Sequence, residues 1–395
     1  MNDPLLLTVN PGSSTIKFGL FRVRDQAPIR LGSGSIDLHR APLEVRISNG
    51  GEAIRVALSA PLTDDLHEVI DETLDTFKAH FSFDDLTSVG HRVVHGGDRF
   101  KGPVAIDDQT LAGIEELMPL APLHQPQCVR LIHAIRALRP DLRQSASFDT
   151  AFHQAQPDLV RRFAISRGLF DEGIKRYGFH GLSYRFIGSQ LARRFPALAE
   201  GKVVVAHLGS GASLCALDAG VSRDTSMGFS TLDGIPMATR CGALDAGVVL
   251  YLLGQRLYSL TDLEAMLYHE SGLLGVSGIS ADTRELLASP LPQAREALDL
   301  FVFRIAGEVA RLAASVGGLD ALVYTGGIGE HQPEIRQAVC ERLEWLGLRI
   351  EAQSNTRNAE VISDGTSRIA VLVIATDEEQ VIAQEAVSVL HSEAS

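Results

Sequence analysis

Apolar and polar positions near the start of the chain fall into three short runs: PLLLTVN (4–10), TIKFGLF (15–21) and LGSGSIDL (31–38). Turn residues separate them, which predicts three strands in an antiparallel meander. Apolar residues at helical spacing follow at 64–81 and 108–120, then at 126–140. Between these helices, LTSVGHRVVHGG (86–97) predicts a strand entering a Gly-rich loop, and RQSASFDTAFH (143–153) a strand ending in a polar loop. The order then restarts. KVVVAHLGSGASLCALDAG (202–220) is again strand, Gly/Ser turn, strand; helical spacing recurs at 247–256, 260–271 and 293–318. Two late buried strands, 321–325 and 368–376, and a final helix at 375–390 complete the pattern.

The segments starting at Asn10 and His207 align Gly-Ser pair on Gly-Ser pair, at an offset of 197 residues. Two similar βββ-αβα halves predict an α/β protein of two ribonuclease-H-like lobes, a duplicated βββαβαβα core, facing a cleft. The lobes are expected to join near 149–153 and again near the C-terminus. This gives a first lobe of residues 1–150 plus 378–395 and a second of residues 151–377.

Composition narrows the class. The chain has 395 residues, 22% of them charged, and a net charge of −13. That balance argues against a nucleic-acid or anionic-membrane surface. Cys128, Cys215, Cys241 and Cys340 form no metal-binding or redox spacing and read as reduced thiols of a soluble, cytoplasmic protein. No apolar run approaches the roughly 20 residues of a membrane span, and the N-terminus lacks the features of a signal peptide.

The turn VNPGSSTIKFGL (9–20) matches neither the P-loop nor the dinucleotide fingerprint. Its amides and hydroxyls, with Lys17, suit a phosphate cradle or a polar hairpin tip. HLGSGAS (207–213) removes side chains at Gly209 and Gly211, which permits close backbone approach to a phosphate. Arg92, His180 and Arg240 each lie beside Gly or apolar residues; a structural ion pair or core packing would suit each alone. Their common setting is better explained by one anion. Asp149 and the run Asp377-Glu378-Glu379 offer carboxylates for Mg2+, or a helix N-terminus in the second case. The strand before Gly326-Gly327-Ile328-Gly329 suits a nucleotide-binding strand–Gly–helix junction.

Taken together, NPGSSTIKF, GHRVVHGG, APLHQP, FDTAFH, RYGFHGLSY, HLGSGASL, SGLLGVSG, TGGIGEH and ATDEEQVIAQE resemble the acetate kinase family over essentially the whole chain. The resemblance implies reversible phosphoryl transfer between ATP and acetate, giving acetyl phosphate and ADP. It implies Mg2+ or Mn2+ as cofactor, ATP/ADP as co-substrate, a role in acetyl-CoA biosynthesis and a homodimer through the second lobe. The first lobe would carry the acyl and phosphoryl side, the second the nucleotide, with the nucleotide-binding cleft between them.

The same resemblance assigns Asn10, Arg92, Asp149, His180 and Arg240 to catalysis. Val94, Leu123, Phe179 and Thr231, with Arg92, would receive the acyl group. Ser13, Thr15, Lys17, His124, His207, Gly209, Ser210 and Gly211 would face phosphates. Asp282, Thr283 and Arg284, with Gly326, Gly327, Ile328, Gly329 and Glu330, would hold the nucleotide. Asn10, Asp149 and Glu378 would position the metal. Cys241, Ala243 and Ala246 depart from the family's Arg-Ser-Gly-Asp-Leu-Asp-Pro, Thr231 from its pocket Pro, Asp377 from a common Asn and Gln125 from the Asn of APLHNP. Two other readings stand beside this one: a kinase for a larger acid such as propionate, and a nucleotide-dependent switch that makes no acyl phosphate.

Overall fold

The computed structural model describes residues 3–390 except 13, 14, 39, 41, 50, 52, 62, 64, 65, 82 and 84. The chain divides into two compact units, Met1–Phe152 with Asp377–Ser395 and His153–Thr376. In the first unit the strands are β1 (Leu5–Pro11), β2 (Thr15–Arg24), β3 (Ala27–Asp37), β4 (Glu44–Ser48), β5 (Ala53–Ala57), β6 (Leu86–Val93), β7 (Val104–Ala105) and β8 (Arg143–Phe148). They form one sheet in the order β5-β4-β3-β2-β1-β6-β8-β7. The second unit orders β9 (Lys202–Leu208), β10 (Ala212–Asp218), β11 (Val221–Thr225), β12 (Ala321–Thr325) and β13 (Ala370–Val373) as β11-β10-β9-β12-β13.

The duplication is explicit in these orders. β1–β2–β3 and β9–β10–β11 are antiparallel meanders. β1 then pairs in parallel with β6, and β6 with β8, just as β9 pairs with β12, and β12 with β13. β4 and β5 extend the first sheet beyond the predicted meander. Their Arg46 and Arg55 face each other across the ladder; β4 alternates, with Val45 and Ile47 buried, a period-2 pattern the sequence reading passed over, whereas the edge strand β5 is largely exposed. β11 is short, and its sequence VSRDT has a weak signature.

Core strands follow from sequence directly. All seven residues of β1, between antiparallel β2 and parallel β6, and all five of β12, between two parallel neighbours, are buried, as central strands covered on both faces require. The helix Pro292–Val316 buries Ala294, Ala297, Leu298, Phe301, Val302, Ile305, Val309 and Leu312, a stripe at three- and four-residue spacing. It stops at Gly317, whose φ of 72° only Gly adopts without strain.

The C-terminal helix Glu378–Leu390 packs on the first sheet through two glycines. A Cβ on Gly90 of β6 would stand 2.8 Å from the Ile382 side chain and 3.2 Å from Ala386 Cβ. One on Gly19 of β2 would stand 3.2 Å from Glu379 Cβ. The missing methyl groups let the helix seat close, and its first turn is thereby set at the end of β1.

Three histidines are buried as neutral rings: His91 on β6 against Gln144, His95 just after β6, and His153 against Ser222 and Phe179. Burial pushes all three pKa values down from 6.5 to about 4. Between those values the unfolded chain binds more protons than the folded one, so stability rises with pH. The stability held above pH 6.5 is lost as pH falls toward 4, by ~2 kcal/mol per histidine at about pH 5. Urea unfolding near neutrality and near pH 5 checks this; His91→Gln should shrink the difference by one histidine's share, and equal wild-type midpoints would contradict neutral burial.

Candidate active site

In the first unit the site is built from strand ends. Asn10, buried at the end of β1, donates from Nδ2 to Glu378 Oε2 at 2.9 Å and to Glu379 Oε1 at 2.8 Å. Its Oδ1 accepts from Arg92 Nη1 at 3.3 Å, and that nitrogen also donates to the Pro11 carbonyl at 2.9 Å. Arg92, near the end of β6, grips Asp149 with a two-point fork, Nε to Oδ1 at 3.0 Å and Nη2 to Oδ2 at 2.6 Å. Burial works against the Arg92 charge, but Asp149 and then Glu378 more than offset it, and the pKa is raised. Asp149 is 1% exposed and opens the 3-10 turn Asp149–His153 that follows β8. Acyl-binding arginine and metal-binding carboxylate, expected as separate functions, thus hold each other in place.

Lys17 lies on β2 directly opposite Asn10 and is exposed; Thr15 begins that strand and accepts the Gly12 amide at 2.7 Å. Ser13 lies outside the described residues. Val94 follows β6 and is buried, whereas Leu123 is exposed, next to His124 at the N-terminus of the helix Gln125–Leu138. Gln125, in place of the family's Asn, is buried and brackets the loop after β6: it accepts from the His95 amide and donates to the His95 carbonyl, both at 3.0 Å. The longer amide therefore has a structural use.

In the second unit three cationic or imidazole groups meet a glycine hairpin. His180 precedes the helix Gly181–Arg194 in left-handed conformation, φ 57°, which costs a non-Gly residue ~1–3 kcal/mol and marks a backbone held for a purpose. Its ring stacks on His207 at 4.5 Å between centroids. Each ring is braced at Nδ1 by a serine: His180 by Ser213 Oγ and His207 by Ser183 Oγ, both at 2.8 Å. Ser213 is in turn hydrogen-bonded to the Tyr184 hydroxyl, and Ser183 to Thr376. Both Nε2 atoms are thereby aimed at the turn between β9 and β10. A Cβ on Gly211 would stand 3.4 Å from both His180 Nε2 and Arg240 Nη2, and one on Gly209 4.0 Å from His207 Nε2. Glycine at these two positions leaves the space above the turn to those nitrogens.

Arg240 is buried and its Nη1 donates to the Thr231 carbonyl at 3.0 Å, so Thr231 contributes its backbone here. The Met237 amide donates to the Arg240 carbonyl at 3.0 Å, and Gly272 presses on the same loop at φ 60°, where a Cβ would come within 2.2 Å of the Met237 carbonyl oxygen. The departures after Arg240 read accordingly. Asp245 caps the helix Ala246–Gly254 by accepting the Gly247 amide at 2.7 Å, and Ala246 stands at the first helical position, where Pro is favoured but not required. Cys241 is half-buried and its thiol is pushed up by burial. Ala243 donates its amide to the Gly234 carbonyl at 2.8 Å.

The nucleotide candidates gather further along the same unit. Gly326 to Gly329 form the first turn of the helix Gly326–His331 itself, where the sequence suggested a loop before a helix. Gly326 has φ 76°, and a Cβ there would stand 2.7 Å from the Leu208 carbonyl oxygen. Glu330 accepts the Gly326 and Thr376 amides at 2.8 and 3.1 Å, so its carboxylate caps its own helix. Gly327 faces open space, and the Gly329 carbonyl accepts from the fully buried Arg336 at 2.8 Å. Thr283 accepts from Gln332, which joins the segment 282–284 to the end of that helix. Asp282 and Arg284 pair with each other, with Asp282 capping the helix Thr283–Ala288.

Glu379 stood in the acidic run offered for a metal but was not carried to the site; Ser183, Ser213, Tyr184 and Thr376 were not singled out, although RYGFHGLSY, HLGSGASL and ATDEEQVIAQE contain them. They act by holding other side chains, and only tertiary pairing reveals that role.

Each unit thus carries its own set of anion-directed and carboxylate groups at the strand ends of one duplicated core. That defines the class, a phosphoryl-transfer enzyme built on a duplicated α/β core. The chain belongs to the acetokinase family, whose sequence pattern matches residues 5–384. It is 47% identical to an acetate kinase of Rhodopseudomonas palustris (strain TIE-1), over 97% of this chain and 98% of that one. With an acetate kinase of Methylocella silvestris it shares 43% over 98% of both. Among solved structures, a propionate kinase of Francisella tularensis superposes with a TM-score of 0.89 at 35% identity, covering 98% of this chain and all of the other. Porphyromonas gingivalis acetate kinase gives 0.86 at 32%, with the same coverage. The chain is therefore an ATP-binding kinase that transfers phosphate to a carboxylate and generally uses a divalent metal. A switch that makes no acyl phosphate is set aside.

The two arginines differ in what they support. Arg92→Ala strands the buried Asp149 carboxylate and is expected to cost ~3 kcal/mol of stability as well as activity. Adding Asp149→Asn should recover the stability but not the turnover. Arg240→Ala should lower kcat/KM by about 10³-fold or more with little change in unfolding midpoint. Urea melts and steady-state kinetics on the three variants check this, and near-normal turnover in Arg240→Ala would remove it from the reaction.

Proposed function

We propose that this chain catalyses reversible transfer of the γ-phosphoryl group of ATP to acetate, giving acetyl phosphate and ADP by direct in-line displacement. The observation that carries this reading is the convergence of His180 Nε2, His207 Nε2 and Arg240 Nη2 on the Gly209–Gly211 turn, within the acetokinase family. A carboxylate oxygen of acetate attacks the γ-phosphorus while the bond to the β-bridging oxygen breaks and ADP leaves. Acetate is already ionised, so no proton has to be removed and no general base is needed. A loose, metaphosphate-like transition state asks for positioning and charge neutralisation, which is what these residues supply.

Arg240 and His180 neutralise and hydrogen-bond the phosphoryl group in transit, and His207, His124 and the Gly209-Ser210-Gly211 turn steady the phosphates. Arg92, braced by Asp149, orients the acetate carboxylate, with Asn10 beside it. Lys17, Thr15 and Ser13 complete the first phosphate turn. Val94, Leu123, Phe179 and Thr231 limit the acyl group. Asp282, Thr283 and Arg284, with Gly326, Gly327, Ile328, Gly329 and Glu330, receive the nucleotide.

Asn10, Asp149 and Glu378 present only oxygen donors to a metal and are already linked through hydrogen bonds, with no Cys or His among them. This hard, sparse set fits Mg2+, or Mn2+, which take few carboxylates and complete their shell with phosphate and water. When bound, the ion would neutralise charge on the β- and γ-phosphate oxygens. Among the described residues no three or more His, Cys, Asp and Glu side chains form a group that could hold a metal.

The superposition on a propionate kinase, together with Thr231 where the family has Pro, supports a second reading with propionate as acceptor. One methylene in an apolar pocket shifts preference by about 10–200-fold. Trapping the acyl phosphate with hydroxylamine, using acetate, propionate and butyrate in turn, decides between them. The highest kcat/KM is expected with acetate; a propionate preference would reverse the assignment, and no trapped product with any acid would end it.

A homodimer through the second unit and a cytoplasmic location belong to the same proposal, with acetyl phosphate feeding acetyl-CoA synthesis. The helix Ala246–Gly254, sequence AGVVLYLLG, has no buried residue, and Leu250, Tyr251, Leu257 and Leu260 stand exposed on and after it. So apolar a surface suits an isologous contact with a second copy. Four free cysteines suit a reducing compartment. Among the described residues no helix is long and apolar enough to cross a membrane. Leu250→Asp is expected to convert the dimer to monomer in sedimentation; a wild-type monomer would contradict it.

A further inference from the structure

Immediately behind His180 lies a buried polar network that the transfer chemistry leaves unused. His153 places Nε2 3.0 Å from the Phe179 carbonyl oxygen and Nδ1 2.8 Å from Ser222 Oγ. A carbonyl only accepts, so Nε2 carries the proton, and Nδ1 of the neutral ring accepts from the Ser222 hydroxyl. Ser222 in turn accepts from Gln156 Nε2 at 3.0 Å, with Cys215 Sγ at 3.3 Å. The ring's tautomer and orientation are thereby fixed from behind.

Its effect falls on the backbone that presents His180. The amides of Tyr177 and Gly178 both donate to the Gly228 carbonyl, at 3.0 and 3.3 Å. Gly178 has φ 81°, and a Cβ there would come within 2.7 Å of both the His153 ring and the Thr225 methyl group. Phe179, whose carbonyl His153 holds, is 1% exposed, and the next residue is His180 in its left-handed conformation. The His153 ring also packs edge-on against Tyr184, 5.8 Å between centroids, and Tyr184 hydrogen-bonds the Ser213 that braces His180 Nδ1. His153 therefore touches both supports of His180, the backbone directly and the serine through tyrosine.

We propose that His153 is a positioning residue for His180: its hydrogen bond to the Phe179 carbonyl holds the strained turn that aims the His180 imidazole. The inference rests on His180 acting in phosphoryl transfer as proposed above. Aim affects the transition state more than ground-state binding, so a small displacement is read in kcat.

The test measures kcat and KM for acyl phosphate formation in His153→Phe, His153→Gln and Ser222→Ala, the first and last also combined with His180→Ala. His153→Phe should lower kcat by about 10–100-fold, with KM for ATP and acetate changed by less than about threefold. His153→Gln, whose amide reaches the same carbonyl, should restore most of that loss. In the His180→Ala background His153→Phe should cause no further loss. Wild-type kcat in His153→Phe, or the same fold-loss with and without His180, would overturn the proposal. If His153→Phe does not fold, Ser222→Ala decides: a kcat loss confined to enzymes that retain His180 supports it, and no loss or an equal loss in both overturns it. Should His180→Ala itself retain wild-type turnover, the catalytic reading of His180 falls rather than this one.

Discussion

The close seating of the helix Glu378–Leu390 against the first sheet is the contact on which the first half of the site depends. Gly90 and Gly19 lack the methyl groups that would hold Ile382 and Glu379 away. With the helix down, Glu378 and Glu379 both reach Asn10; with Asn10 held, its carbonyl meets Arg92; and Arg92 then fixes Asp149. A residue from the far end of the chain thus completes a network begun at residue 10. Packing, not proximity in sequence, decides which carboxylate stands beside which cation.

The second unit reaches a similar end by other means. Its β9–β10 hairpin stands where β1–β2 stands in the first, yet the residues around it are imidazoles and an arginine rather than carboxylates. Duplication supplied two equivalent turns at strand ends, and divergence gave them opposite chemistry. One half concentrates acid groups around a single guanidinium, the other concentrates donors around a bare glycine turn. A reaction that moves a phosphoryl group needs both kinds of surface.

Much of this was legible from residues alone. The continuous apolar runs of β1, β9 and β12 and the striped helix Pro292–Val316 announce themselves, because burial imposes their periodicity. β5 and β11 do not, since these edge strands bury no apolar side chain, while β4, which buries Val45 and Ile47 in alternation, carried a signal that was passed over. Gly326–Gly329 suggested a loop because Gly is a poor helix former. The Glu330 carboxylate, four residues on, satisfies the first amide and lets the helix begin there. Candidate site residues that face ligands could be named from motifs, whereas Ser183, Ser213, Tyr184 and His153 could not. Their partners lie 24 to 33 residues away for the serines and for the tyrosine, and 26 and 69 away for His153.

The turn Asp149–His153 has a consequence of its own. Its first residue is gripped by Arg92 and its last by Ser222 and the Phe179 carbonyl, so both ends of a five-residue stretch are pinned. In a 3-10 turn each residue contributes roughly 120° of rotation and about 2 Å of rise. One residue added between Asp149 and Thr150 would turn the Thr150 hydroxyl away from the Gly96 amide while Arg92 kept Asp149 in place. The end of β8 is therefore tied to the loop after β6 through a buried threonine, and the second side chain of the turn is as constrained as its first.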